Sequence, residues 1–267
     1  MPKPIILVKI GGSLITDKEK PFSLNKKGLD FVCQEIKKIT GLKKHLILGH
    51  GAGSFAHFPA RKYRTSQGII NKKSVQGISL VAQAAAQLNR IVVDRLLSYK
   101  IKAISLSPLS MMTAKSYRLK SLFSEPLEKS LLLGLTPVLY GDVVFDEKKG
   151  CTIFSTEKVL NSLAFALKKK GFFIEKLIYC TLSRGVYDQK GETIFHLNNK
   201  NFKKYKKAFG KSKGIDITGG MAHKIEEILI SARKGIPGFI IDGKEKNNLS
   251  KAILEKKFVG TKIDWIK

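Results

Sequence analysis

The tightest constraint on this sequence is a repeated arrangement: a short apolar run, a glycine-rich turn and a helical pattern. Ile5–Ile10 (IILVKI) runs into Gly11-Gly12-Ser13, Leu46–Leu48 runs into Gly49-His50-Gly51-Ala52-Gly53-Ser54, and Thr218-Gly219-Gly220 opens the pattern Met221–Lys234. Continuous apolar runs of this length suit strands buried on both faces, and such strands belong to parallel sheets covered by crossover helices. The expected fold is therefore α/β, a three-layer α/β/α sandwich around a mainly parallel central sheet.

Other segments fill in the same plan. After the first turn, the pattern LDFVCQEIKKI puts Leu29, Val32, Cys33 and Ile36 on one helical face, and Ser74–Tyr99 reads as a long helix or helix pair. Ala103–Leu106, Pro137–Tyr140, Lys176–Tyr179, Gly238–Ile241 and Phe258–Ile263 read as further strands, and Ser155–Lys170 as a helix. The stretch Ser116–Ser124 reads as a hairpin or a lid, and Tyr187–Ile194 as a hairpin around Lys190-Gly191. No repeat or linker interrupts the 267 residues, so residues 1–267 form a single domain, with any lobe boundary near residue 170 lying inside one fold.

Charge is the compositional outlier. Lys and Arg number 49 against 21 Asp and Glu, a formal net charge of +28. Such an excess raises the question of a nucleic-acid partner. The lysines are nevertheless scattered in short pairs along the whole chain, and arginine, the better residue for bidentate phosphate and base contacts, is scarce. The sequence thus argues against nucleic acid as a partner. Its three widely spaced cysteines, Cys33, Cys151 and Cys180, form no CxxC pair and imply a reducing, cytoplasmic setting. The apolar run near the start is too short for a signal peptide, and no stretch approaches the length of a membrane span.

A turn without side chains at the carboxyl end of a parallel strand lets backbone N–H groups approach phosphate oxygens, and a helix starting there adds a favourable dipole. Three such turns, two with a lysine close by, point to phosphate ligands. The pattern GxxxxGK[ST] is missing, as are HExxH, GxSxG and a GxGxxG helix opening with a downstream carboxylate, which argues against Walker-type NTPases and dinucleotide dehydrogenases. Lys9 ends an apolar strand, where a cation requires a partner, so a functional role is favoured there.

In KIGGSLITDK (9–18), HGAGSFAH (50–57), YGDVVFD (140–146), DITGGMAHK (216–224) and VGTKI (259–263), the sequence resembles the amino acid kinase superfamily and, within it, is similar to the isopentenyl phosphate kinases. A histidine at the place of His57 is characteristic there of kinases whose acceptor is itself a phosphate or phosphonate. The resemblance implies transfer of the ATP γ-phosphoryl group to isopentenyl phosphate, with ATP and Mg²⁺ as cofactors. It implies Lys9, Lys18, His57 and Lys224 as catalytic residues, and a nucleotide site built from Lys9, Gly11, Gly12, Ser13, Thr181, Arg184, Gly219, Gly220 and Lys224. The acceptor would meet Gly51, Ala52, Gly53, His57, Asp142 and Thr156, with Asp142 orienting the lysines and no metal held by the protein itself. It further implies an acceptor lobe in residues 1–170, a nucleotide lobe in 171–267, and a homodimer.

The sequence departs from that family in places that bear on nucleotide grip. Ser155-Thr156-Glu157-Lys158 stands where Ser-Gly-Asp-Asp is usual, Thr181-Leu182-Ser183-Arg184-Gly185 where TDVDG is usual, and Ala56 where glycine precedes the histidine. The alternatives left open are a kinase of another alkyl phosphate, phosphonate or carboxylate, and a binding protein with weak or no catalysis. For an isoprenoid tail the sequence offers the helix face of Ile78, Val81, Ala82, Ala85 and Leu88, with Met111 and Met112 near it, although such a stripe is more often core.

Overall fold

The computed structural model describes residues 3–17, 19–209 and 219–266. From the N-terminus the elements are β1 (Ile5–Ile10), α1 (Gly12–Ile15), α2 (Lys26–Ile39), β2 (His45–His50), α3 (Gly53–Tyr63) and α4 (Lys73–Ser98), the last a single helix of 26 residues. Next come β3 (Ala103–Ser105), α5 (Pro108–Met111), β4 (Met112–Lys115), β5 (Arg118–Leu122), α6 (Glu125–Leu132), β6 (Thr136–Tyr140), β7 (Asp142–Asp146) and β8 (Gly150–Phe154). The remainder is α7 (Thr156–Lys169), β9 (Ile174–Thr181), β10 (Val186–Tyr187), β11 (Thr193–Ile194), β12 (His196–Asn198), α8 (Asn199–Phe209), α9 (Gly219–Ala232), β13 (Gly238–Asp242), α10 (Asn248–Ile253) and β14 (Gly260–Asp264).

Eight strands form the central sheet in the order β12-β14-β13-β9-β1-β2-β6-β3. The six from β13 to β3 run parallel, β14 pairs antiparallel with β13, and the edge strand β12 pairs parallel with β14. β1 sits between β2 and β9, so the sheet is continuous across residue 170, with the earlier strands on one side and the later ones on the other.

Alternation along the strands builds the two outer layers. Ile5 and Leu7 of β1, with Leu177 and Tyr179 of β9, pack against Leu160, Leu163 and Leu167 of α7 and Ile225 and Ile228 of α9. Ile6, Val8 and Ile10, with Ile178, face the other way onto Val32 and Ile36 of α2, Leu88 and Val92 of α4, and Leu249 and Ile253 of α10. This is the expected three-layer α/β/α sandwich.

Both doubtful stretches are hairpins. β4 and β5 pair antiparallel around Ser116 and Tyr117, which have φ of 50° and 65°. The Asp146 carboxylate accepts the N–H groups of both, at 3.0 and 2.7 Å, which offsets the strain of a left-handed turn made without glycine. β10 and β11 form the second hairpin.

Candidate active site

Parallel strands end on a common edge, and the loops leaving that edge bound the crevice at a topological switch point. Here β1 is that point: its chain turns away between the exits of β2 and β9. The resulting cleft has a volume of about 990 Å³, at the upper end for small-molecule sites and wide enough for two ligands. Lys9, Gly11, Gly12 and Ser13 line its middle, Gly51–Gly53 and His57 one side, and Thr181 and Lys224 the other.

Two glycine turns meet backbone to backbone at its centre. A Cβ on Gly12 would lie 2.8 Å from both Cα and N of Gly53, and Gly53 itself has φ +52° with Thr16 Oγ1 only 2.2 Å from where its Cβ would be. Only glycine permits this approach, which brings the turns after β1 and β2 to one point.

Lys9 is directed by the strand period. It shares the β1 face of Ile5 and Leu7, so its side chain rises toward α7, and in register its neighbours are Gly49 and Tyr179. Glu157 in the first turn of α7 accepts a hydrogen bond from Lys9 Nζ, and both side chains are more than nine-tenths buried. Burial alone would raise the Glu157 pKa; the charge and hydrogen bond of Lys9, with the more distant charge of Lys224, hold it below the ordinary carboxylate value. The cation therefore has the partner its position demanded. Glu157 was not among the expected site residues, and the signal for it was its place in the segment where the family has its carboxylate.

Asp142 is not the carboxylate that holds Lys9: opening β7, it turns back on its own chain and accepts the N–H of Val143 at 2.8 Å, while Glu157 bonds Lys9. It still lines the cleft, and burial, only partly offset by backbone hydrogen bonds from Val143 and Leu109, pushes its pKa up to about 7. The folded protein thus takes up a proton here between the ordinary value of 3.8 and about 7. Stability should fall across that window as pH rises, and the stabilisation by Asp142→Asn should grow from pH 5 to pH 8 in thermal melts. An anionic acceptor would face a neutral carboxyl at pH 6 and a carboxylate at pH 8. The ratio of acceptor KM in wild type to that in Asp142→Asn should therefore rise with pH; a flat ratio would remove Asp142 from the acceptor's surroundings.

His57 projects from α3 into the cleft, where it is exposed. The other histidine of HGAGSFAH, His50, is fully buried, with Nε2 3.1 Å from Asn89 Nδ2 and its ring stacked on Tyr140. Burial lowers its pKa to about 4, so it is a neutral core residue. Thr156 lines the cleft, but its hydroxyl donates to the His50 carbonyl at 2.7 Å, a bond that ties α7 to β2. Gly51, Ala52 and Gly53 line the cleft beside His57, joined by Ala56, Ala60 and Val81. Of the expected apolar helix face only Val81 reaches the cleft; Ile78 and Ala85 pack with Tyr140 and Val143, and Met111 and Met112 belong to the core beside α7.

On the opposite side, Thr181 closes β9, and Gly220 and Lys224 come from α9, which Gly219 begins. Lys224 Nζ donates to the Gly220 carbonyl at 2.8 Å. Arg184, expected among the nucleotide contacts, does not line the cleft: it is exposed, and its backbone N–H donates to Tyr187 Oη at 3.0 Å. Leu182, Ser183 and Tyr187 line that wall instead. Lys18 and Thr218 lie outside the described residues. The sequence also gave no role to His223, whose Nε2 is 3.0 Å from Ser155 Oγ at the cleft wall.

A parallel sheet whose switch-point turns and buried lysine converge on one cleft, without a P-loop, defines a phosphotransferase-type α/β protein. The chain belongs to the amino acid kinase family, whose model matches residues 4–242. It is 33% identical to the isopentenyl phosphate kinase of Methanocaldococcus jannaschii, covering 98% of this chain and 99% of that protein. It is 30% identical to the enzyme of the same name from Methanothermobacter thermautotrophicus, covering 97% and 98%. A solved isopentenyl phosphate kinase structure superposes with a TM-score of 0.80 at 28% identity, covering 97% of this chain and all of that one.

Proposed function

We propose that the protein transfers the γ-phosphoryl group of ATP to isopentenyl phosphate, giving isopentenyl diphosphate and ADP, in isoprenoid biosynthesis. The observation that carries this reading is the Lys9–Glu157 pair at the centre of a two-ligand cleft, with His57 and a small apolar patch on one side and Lys224 on the other. An oxygen of the acceptor phosphate attacks the γ-phosphorus, the bond to the bridging oxygen of ADP breaks, and negative charge spreads over the equatorial oxygens. Lys9, placed beside Gly11 and Gly12, meets that charge from below, and Lys224 meets it from the nucleotide side. N–H groups of the Gly51–Gly53 turn and the His57 ring hold the acceptor phosphate in line. Ala56, Ala60 and Val81 supply an apolar surface for a short branched tail.

Mg²⁺ enters this reading with ATP, where it neutralises phosphate charge. The donor set does not suit a cage made by the protein: Glu157 is committed to Lys9, Asp142 to backbone N–H groups, and no cluster of three metal-ligating side chains occurs among the described residues. The division into an acceptor lobe before residue 170 and a nucleotide lobe after it is part of the same reading, supported by the placement of His57 and Lys224 on opposite sides of β1. So are the homodimer, which rests on the family resemblance, and a cytoplasmic setting, which suits three buried free cysteines. No described helix is long and apolar enough to cross a membrane.

The test is ADP release by purified wild type with Mg²⁺ and ATP, comparing isopentenyl phosphate with fosfomycin and N-acetylglutamate. Isopentenyl phosphate should give a kcat/KM at least a hundredfold above either. Absence of turnover at saturating isopentenyl phosphate would refute the proposal.

A further inference from the structure

His223 lies on α9, one residue before Lys224, and its ring lines the cleft. Its Nε2 is 3.0 Å from Oγ of Ser155, the N-cap of α7, which also accepts the N–H of Lys158 at 3.3 Å. Deeper in the molecule the same two helices are joined again, where Asn161 Nδ2 donates to the Glu227 carbonyl at 2.8 Å and to its carboxylate at 2.7 Å. The Asn161 bond fixes the helices in the interior, and the Ser155 bond fixes their starts at the cleft. Each start carries part of the charge array: Glu157, which holds Lys9, on α7, and Lys224 on α9.

We propose that His223 is a positioning residue for phosphoryl transfer. Its hydrogen bond to Ser155 locks the start of α9 against the start of α7, so that Lys224 and Lys9 face the same nucleotide phosphates. Lys9 is fixed by the sheet on both sides, whereas the place of Lys224 depends on where α9 begins. A shift of about 1 Å in a positioned cation is enough to cost large factors in rate. The bond survives either state of the ring, since a neutral Nε2 accepts from the serine hydroxyl and a protonated one donates to it.

This inference rests on reading the cleft as an ATP site, so its test includes equilibrium ATP binding with Mg²⁺ by calorimetry as well as kinetics. The variants are His223→Ala, His223→Gln, Ser155→Ala and the double alanine. His223→Ala should raise both the Kd and the KM for ATP about three- to tenfold, the range for one lost hydrogen bond, while acceptor KM and Tm stay near wild type. Glutamine, which can bond the same hydroxyl, should restore at least half of the loss on a logarithmic scale. The double variant should bind ATP no worse than Ser155→Ala alone. Wild-type ATP affinity in His223→Ala, additive losses in the double variant, or no rescue by glutamine would each overturn the inference. Wild type that fails to bind ATP would overturn the nucleotide site itself and this inference with it. Wild type that binds ATP without phosphorylating isopentenyl phosphate would refute only the acceptor assignment, and the binding series would still decide the role of His223.

Discussion

Lys9→Met is expected to lower kcat/KM for phosphoryl transfer by about two to three orders of magnitude, the usual loss on removing one preorganised donor from a developing charge. The same substitution should destabilise the fold, because it leaves Glu157 buried without its cation. Breaking a buried ion pair from one side costs about 3–5 kcal/mol, and both partners here are shielded from solvent screening. The pH dependence gives a sharper test. In wild type the folded-state pKa of Glu157 is depressed, so the pair stabilises the protein above the ordinary carboxylate value, and that contribution is lost as pH falls through the depressed one. Without Lys9, burial dominates and the pKa rises, so stability should instead decline as pH increases above the ordinary value. The double variant Lys9→Met/Glu157→Met replaces the pair by apolar groups of similar reach. It should recover most of the lost stability and none of the activity. Activity that returned with stability would assign Lys9 to the scaffold alone.

That pair also bears on whether the chain's departures from its relatives weaken catalysis. The glycine and the first carboxylate of the usual segment become Thr156 and Glu157, which from sequence reads as a loss of close backbone approach and a misplaced charge. In the fold the longer arm of Glu157 still reaches Lys9, and the added Thr156 hydroxyl is taken up by the His50 carbonyl. The second segment differs more: Arg184 points to solvent, and no carboxylate from 182–184 enters the cleft. The altered wall is thus the one formed by Thr181, Leu182, Ser183 and Tyr187, while the centre of the cleft keeps its ion pair.

What the sequence made legible follows from what local pattern encodes. The run IILVKI declares a strand buried on both faces, and a lysine inside it declares a missing partner. The identity of that partner is set by the packing of α7 on β1, across 148 residues, and no spacing reveals it. The glycines at 11, 12, 51 and 53 were legible as turns, but that two of the turns interlock depends on the pairing of β1 with β2. The role expected of Asp142 came from the family resemblance and not from local pattern, and the geometry of β7 folds its carboxylate onto its own backbone. His223 was hidden by its commonplace setting on a helix, and only the contact with Ser155 distinguishes it from a solvated side chain. The apolar stripe of α4 was ambiguous in the expected way, since one helix face served both the core and, through Val81, the cleft.

The two histidines of HGAGSFAH provide the second large effect, because burial predicts opposite consequences for them. His57→Ala should lower kcat/KM for the acceptor about a hundredfold, through the loss of a charge-assisted hydrogen bond that strengthens as charge develops. The KM for ATP should stay close to wild type, since the residue lies on the α3 side of the cleft, away from Lys224. Its ring is exposed, so folding stability should change by no more than about 0.5 kcal/mol. His50→Ala should do the reverse. It removes the stacking partner of Tyr140 and leaves Asn89 Nδ2, buried in the core, without its acceptor, which together should cost about 2–4 kcal/mol. At a temperature where the variant remains folded, its kinetic constants should remain within a fewfold of wild type. Parallel thermal melts and initial-rate measurements on both variants decide the matter. A His57→Ala protein with normal acceptor kinetics would move the acceptor phosphate away from α3, and one with a large drop in Tm would recast His57 as a structural residue.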